Sequence, residues 1–136
     1  MSFLWDTNVI SELRKGSRAN PGVRAWAKSV EHDDHYLPAV VIGELRHGIE
    51  AVRGRDPKTA RHLDRWFERV VETHAEKILP IDRRVAELWG RLNTPDPLPV
   101  IDGLIAATAI AHDLTLVTRD EAAVRRTGVR LLNPFS

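Results

Sequence analysis

Phe3-Leu4-Trp5-Asp6 is three apolar residues running straight into an acid, and Thr115-Leu116-Val117-Thr118-Arg119-Asp120 repeats that arrangement near the other end of the chain. Both apolar runs are too short for a helix and both stop at polar residues. Each reads as a buried strand with a carboxylate just after it. Helical patterns fill the space between. Thr7 to Lys15 reads as a short helix stopped by Gly16, and Pro21 to Glu31 as a second, with Pro21 in its first turn. His35-Tyr36-Leu37 is a short strand. From Ala39 onward, Val41, Leu45, Ile49 and Val52 recur on one helical face until Gly54 and Pro57. Lys58 to Ala75 is a charged amphipathic helix carrying Leu63, Trp66, Phe67, Val70 and Val71. Ile78-Leu79-Pro80-Ile81 is a strand whose proline places it near a sheet edge. Asp82 to Leu92 is a helix, Thr94 to Pro99 a proline-rich loop and Val100 to His112 an apolar helix. Asp120 to Arg126 is a short helix, and Val129 to Leu132 the last strand. Strands separated by helices specify an α/β domain with a mostly parallel sheet. In such sheets ligands collect at the carboxyl ends of the strands.

The composition sets the outer bounds. The 136 residues make one domain, 1–136, with no room for a second core of ordinary size. With 43% hydrophobic and 29% charged residues, the chain is neither disordered nor collagen-like. Cysteine is absent, which excludes disulfide scaffolds, thiolate zinc sites and cysteine nucleophiles. Twenty Lys and Arg against 19 Asp and Glu leave a net charge of +1, so no globally basic nucleic-acid binder is indicated. The N-terminus has neither a basic leader nor a long apolar segment. The most apolar stretch, Pro97 to Ala111, is too short to span a bilayer and is interrupted by Asp102. A soluble, cytoplasmic protein is expected.

Four carboxylates then stand out. Asp6 follows the first strand, and Asp120 comes just after the fourth. Parallel strands bring both to the same sheet edge. Glu44 lies about one turn into the helix after the second strand, beside its apolar face. Asp102 is the one charged residue between Pro97 and Ala111, and a charge in apolar surroundings is costly unless paired or metal-bound. Each has a plain structural reading as well. Asp6 and Asp120 suit helix N-caps, Thr118 with Glu121 suits a capping box, Asp102 suits a first helical turn, and Glu44 an exposed helix position. If the four converge, they cannot all stay ionised side by side without a proton or a cation. Oxygen-only ligands favour Mg²⁺ or Mn²⁺. Such an ion lowers the pKa of a bound water and offsets charge on a phosphate undergoing attack.

The motifs carrying these acids resemble those of PIN-domain ribonucleases, most of all the VapC-type toxins with their FitB-like branch. Leu4-Trp5-Asp6-Thr7-Asn8-Val9-Ile10-Ser11-Glu12-Leu13 is similar to the family's opening. Val40-Val41-Ile42-Gly43-Glu44-Leu45-Arg46-His47-Gly48-Ile49 is similar to its second motif, Asp102-Gly103-Leu104-Ile105-Ala106-Ala107-Thr108-Ala109 to its third and Leu116-Val117-Thr118-Arg119-Asp120 to its fourth. The resemblance implies a three-layer α/β/α sandwich around a mostly parallel sheet. It implies an endoribonuclease using Mg²⁺ or Mn²⁺, with Asp6, Glu44, Asp102 and Asp120 as the metal-binding, catalytic quartet. Thr118 is implied as a polar residue orienting an acid or a water. It also implies the toxin half of a toxin–antitoxin pair: RNA as substrate, a small antitoxin as partner, and a homodimer.

Other residues carry less. Thr7 lies beside Asp6, and Arg14, Lys15 and Arg46 flank the acids, as phosphate contacts or as solvated surface charge. His32 and His35 have no third histidine near them in sequence and read as solvated or packing residues. Trp26, Trp66 and Trp89 sit on helices as packing residues. The competing reading is a non-catalytic α/β binding or signalling module whose acids cap helices. A receiver domain wants an acidic pair after the first strand, where this chain has Asp6-Thr7-Asn8, and a late lysine, where none follows Lys77. A haloacid-type phosphatase wants Asp-x-Asp there, and Asn8 takes the place of the second acid.

Overall fold

A computed structural model describes residues 1–136. Five strands form one sheet: β1 (Ser2–Trp5), β2 (Asp34–Pro38), β3 (Ile78–Leu79), β4 (Thr115–Val117) and β5 (Leu131–Leu132). Their spatial order is β3-β2-β1-β4-β5, and all four neighbouring pairs are parallel. Seven α-helices make the crossovers: α1 (Thr7–Leu13), α2 (Pro21–Ser29), α3 (Ala39–Arg53), α4 (Pro57–Thr73), α5 (Arg83–Leu92), α6 (Val100–Ala111) and α7 (Glu121–Val124). β3 lies at the edge, as expected, but stops at Leu79, so Pro80, which has no N–H to give a ladder, falls just outside it.

Alternation along the strands splits the core into layers. Leu4 and Leu116 point into a large cluster with Val41, Leu45 and Ile49 of α3, Phe67 of α4, and Ile105, Ala106 and Ala109 of α6. Phe3 and Val117 point the other way, onto Val9 of α1 and Val23 of α2. A third cluster joins Val85 of α5 to Ala107 and Ala111 of α6. The result is the expected α/β/α sandwich, with α6 buried between the sheet and α5. That burial explains why α6 is apolar nearly all round.

Element ends differ from the sequence expectation where turn geometry decides. The first helix stops at Leu13 rather than Lys15, because the backbone turns at Gly16, whose φ is +60°. The helix expected over Asp120 to Arg126 is a four-residue α7 followed by a 3₁₀ turn ending at Gly128, where φ is +77°. The last strand begins at Leu131 instead of Val129. Val129 leaves that left-handed turn into the core, and sheet pairing starts only where Leu116 N–H donates to the Arg130 carbonyl.

Candidate active site

The chain builds outward from β1 in one direction through β2 and β3, then returns to the other side with β4 and β5. The strand order therefore reverses between β1 and β4, which is where open parallel sheets leave a crevice beyond their carboxyl ends. Asp6 and Thr118 are the first residues past those two strands. The ladder carries over into the crevice: Asp6 N–H donates to the Val117 carbonyl at 3.0 Å.

Asp6 is 8% exposed and caps α1, its Oδ1 accepting from Thr7 N–H at 2.7 Å. Its Oδ2 accepts from the Thr118 hydroxyl at 2.7 Å and from the Asn8 amide at 3.4 Å. The Thr118 hydroxyl in turn accepts from Asp120 N–H at 3.0 Å, while Asn8 Oδ1 accepts from Arg119 N–H at 3.1 Å. The loop between β4 and α7 is thus tied residue by residue to the start of α1. Glu44 is half-buried on α3 and is held from the same helix start: Thr7 Oγ1 donates to its Oε1 at 2.5 Å.

Capping accounts for only one of the four acids. Asp120 occupies the N-cap position of α7, yet its side chain makes no cap hydrogen bond. Asp102 lies in the first turn of α6, where its charge suits the helix dipole, but the cap position is Pro99. The Thr118–Glu121 capping box does not form, because the Thr118 hydroxyl is directed at Asp6 instead. Arg46 is also placed differently from a phosphate contact at the acids. Two residues beyond Glu44, it points round α3 toward α4, where Nη1 meets Asp64 at 3.0 Å, and it also meets Glu50, one turn on in α3, at 3.2 Å. Its guanidinium also lies 4.4 Å from the centre of the Phe67 ring. Lys15 pairs with Glu12, and His35 packs among Phe3, Trp5 and Trp26.

A PIN-domain family model matches residues 3–129. The chain belongs to the PIN-domain family. It is 34% identical over 138 residues to Toxin FitB of Neisseria gonorrhoeae, covering 98% of both chains. It is also 34% identical over 135 residues to VapC ribonuclease Y4jK of Sinorhizobium fredii, covering 96% and 95%. The crystal structure of FitAcB from Neisseria gonorrhoeae superposes with a TM-score of 0.88 at 34% identity, over 97% of each chain. VapBC2 from Rickettsia felis, solved with a promoter DNA fragment, shares the fold at a TM-score of 0.73 and 18% identity.

In this PIN domain the acids feel one another through space. Burial pushes the Asp6 carboxyl above its ordinary value; the hydrogen bonds from Thr118 and Thr7 pull it down, and Asp102 and Glu44 push it further up. Burial likewise raises the Asp102 carboxyl, with Asp120 and Glu44 adding to the effect. All four candidate acids are therefore linked, Asp6 to Asp102 and Glu44, and Asp102 to all three of the others. They are neighbours rather than a closed cage, since no three acid or histidine side chains already converge at ligating range. The donor set is oxygen-only, carries surplus negative charge in partly desolvated surroundings, and so fits a hard divalent cation.

Asn8 is the site residue that sequence reading left without a role. Its signal was present in Asp6-Thr7-Asn8, where a polar amide two residues after a strand-end acid is free to reach across to a neighbouring loop.

Proposed function

We propose that this chain is a Mg²⁺- or Mn²⁺-dependent endoribonuclease and the toxin of a toxin–antitoxin pair. It would act on RNA in the cytoplasm and be restrained by a cognate antitoxin protein, with a homodimer as its own assembly. The observation carrying the reading is the Thr118–Asp6–Asn8 network at the β1/β4 reversal. Hydroxyl and amide groups there orient carboxylates rather than close helix ends. Relatives named as a toxin and as a VapC ribonuclease, at 34% identity over nearly the whole chain, support the same conclusion. The FitAcB structure, at 34% identity, supports an antitoxin as partner.

Asp6, Glu44, Asp102 and Asp120 would hold the cation, which when bound supplies Lewis acidity toward a water and the scissile phosphate. The protein's own groups do the positioning. Thr118 and Asn8 hold Asp6 Oδ2, and Thr7 N–H holds Oδ1, so this carboxylate cannot rotate. The Thr7 hydroxyl fixes Glu44 at the opposite wall. Thr7 and Thr118 thus serve as positioning residues. Hydrolysis adds water to phosphorus and breaks one phosphorus–oxygen ester bond, and the fixed carboxylates keep the water and the phosphate in line.

Cleavage of a mixed RNA pool tests this, with Mg²⁺ or Mn²⁺ against excess chelator, beside Asp6→Asn and Asp102→Asn. Ion-dependent cleavage lost in both variants is the expected result. Folded protein without ion-dependent cleavage, and without metal binding by calorimetry, returns the capping module as the better account.

A further inference from the structure

Past β5, residues 133–136 turn back onto the start of α2. Asn133 Oδ1 accepts from Phe135 N–H at 3.0 Å, which sets the turn. Asn20, the N-cap of α2, then grips the backbone of Ser136. Its Nδ2 donates to the Ser136 carbonyl at 3.1 Å, and its Oδ1 accepts from Ser136 N–H at 3.0 Å. Asn20 is itself fixed from α1, because Glu12 Oε2 accepts from its N–H at 2.8 Å. Gly22 makes the room. A Cβ there would collide with the Pro134 carbonyl oxygen and stand 2.9 Å from both N and Cβ of Ser136. Backbone this close leaves no space for a side chain, so the segment seats only over glycine.

Seating delivers an aromatic ring to the loop that carries Asp120. Phe135 is half-buried and packs on the cluster of Phe3, Val9, Val23 and Val117. The Arg119 guanidinium lies 5.0 Å from the centre of its ring, within the range of cation–π attraction. Arg119 makes no side-chain hydrogen bond and no ion pair, so the ring sets its place. It is the middle residue of Thr118-Arg119-Asp120. The inner side of that loop is held by Arg119 N–H on Asn8 Oδ1 and by Asp120 N–H on the Thr118 hydroxyl. The Asp120 side chain itself caps nothing, so its carboxylate goes where the loop backbone carries it.

We propose that Phe135 and Arg119 are positioning residues for Asp120, with residues 133–136 as a strap that clamps the loop between β4 and α7 from outside. This rests on the metal-dependent ribonuclease reading above and extends it to residues that touch neither cation nor substrate. Asn8 and Thr118 hold the loop from the side of the acids, and the Phe135 ring holds it from the side of α2. A carboxylate ligand fixed from behind binds a cation more tightly, because less ordering is left for the ion to impose.

The test uses two readouts on the full chain: amide hydrogen exchange at Arg119 and Asp120 without metal, and the Kd for Mn²⁺ by calorimetry. Phe135→Leu keeps an apolar side chain on the cluster but removes the ring. Exchange at both amides and the Mn²⁺ Kd should each rise about two- to fivefold, the weight of one exposed cation–π contact. Phe135→Trp should restore both. Arg119→Met should match Phe135→Leu, and the double variant should add nothing further, since one contact is lost in all three. Gly22→Ala, which unseats the whole strap, should raise the Mn²⁺ Kd about tenfold. Unchanged exchange at Arg119 and Asp120 in both Phe135→Leu and Gly22→Ala overturns the clamp. Faster exchange with unchanged Mn²⁺ affinity overturns the positioning role, as does a lower melting temperature with both readouts unmoved, which leaves Phe135 as packing alone. A parent that binds no Mn²⁺ overturns the metal reading, and the exchange rates then decide the clamp separately.

Discussion

Thr118 Oγ1 donates a 2.7 Å hydrogen bond to Asp6 Oδ2, joining residues 112 positions apart at the ends of adjacent parallel strands. It is the buried link between the two halves of the sheet at the point where strand order reverses. Thr118→Val keeps the shape and removes the donor, leaving a buried carboxylate short of a partner. Denaturant unfolding should show a loss of about 1–3 kcal/mol. Because this bond lowers the Asp6 carboxyl, the acid limb of the cleavage pH profile should also move to higher pH. Thr118→Ser should restore both, and an unmoved profile in Thr118→Val would detach Thr118 from the chemistry.

Asp102 should destabilise the metal-free protein. Burial first, then Asp120 and Glu44, raise its carboxyl in the folded state above its unfolded value. A raised folded pKa favours the folded protein fully below the unfolded pKa, and that benefit is lost as pH rises through the folded value. In chelator at neutral pH, Asp102→Asn should therefore melt above the parent, with the gap closing on acidification. Its cleavage should fall by roughly a hundredfold or more. A lower melting temperature at neutral pH would show that the charge is already balanced by the protein.

Gly103 lets α6 lie close to α5. A Cβ there would stand 3.1 Å from Trp89 Cδ1 and Nε1 and 3.3 Å from Leu98 Cβ. Gly103→Ala should cost about 1–3 kcal/mol through overpacking and displace the neighbouring Asp102, lowering cleavage as well. The Trp89 indole N–H is buried without a partner, so Trp89→Leu removes bulk without breaking a hydrogen bond. In a double-mutant cycle, Trp89→Leu should recover part of both losses, and simple additivity would place the strain elsewhere.

Arg46 bridges α3 to α4 through Asp64, with Glu50 of α3 itself as a second partner, rather than serving the acids. Arg46→Ala should lower stability by about 0.5–1 kcal/mol, an effect that shrinks in salt, and leave cleavage of RNA near the parent rate. A large loss of cleavage with normal stability would return Arg46 to the substrate path.

What the sequence by itself determined is local. Apolar runs of two to five residues and helical spacing in segments such as Val41-Leu45-Ile49 marked nearly every element, because side-chain burial repeats with the period of the backbone that carries it. The acids at strand and helix starts were legible for the same reason. Tertiary structure decided what spacing along a chain does not encode: which strands become neighbours, and which side of a helix a long side chain takes. The order β3-β2-β1-β4-β5 brings Asp6 to Thr118, and the loop that follows to Asn8. Apolar packing of α4 on α3 then draws Arg46 away to Asp64, because an ion pair forms with whichever partner that packing delivers.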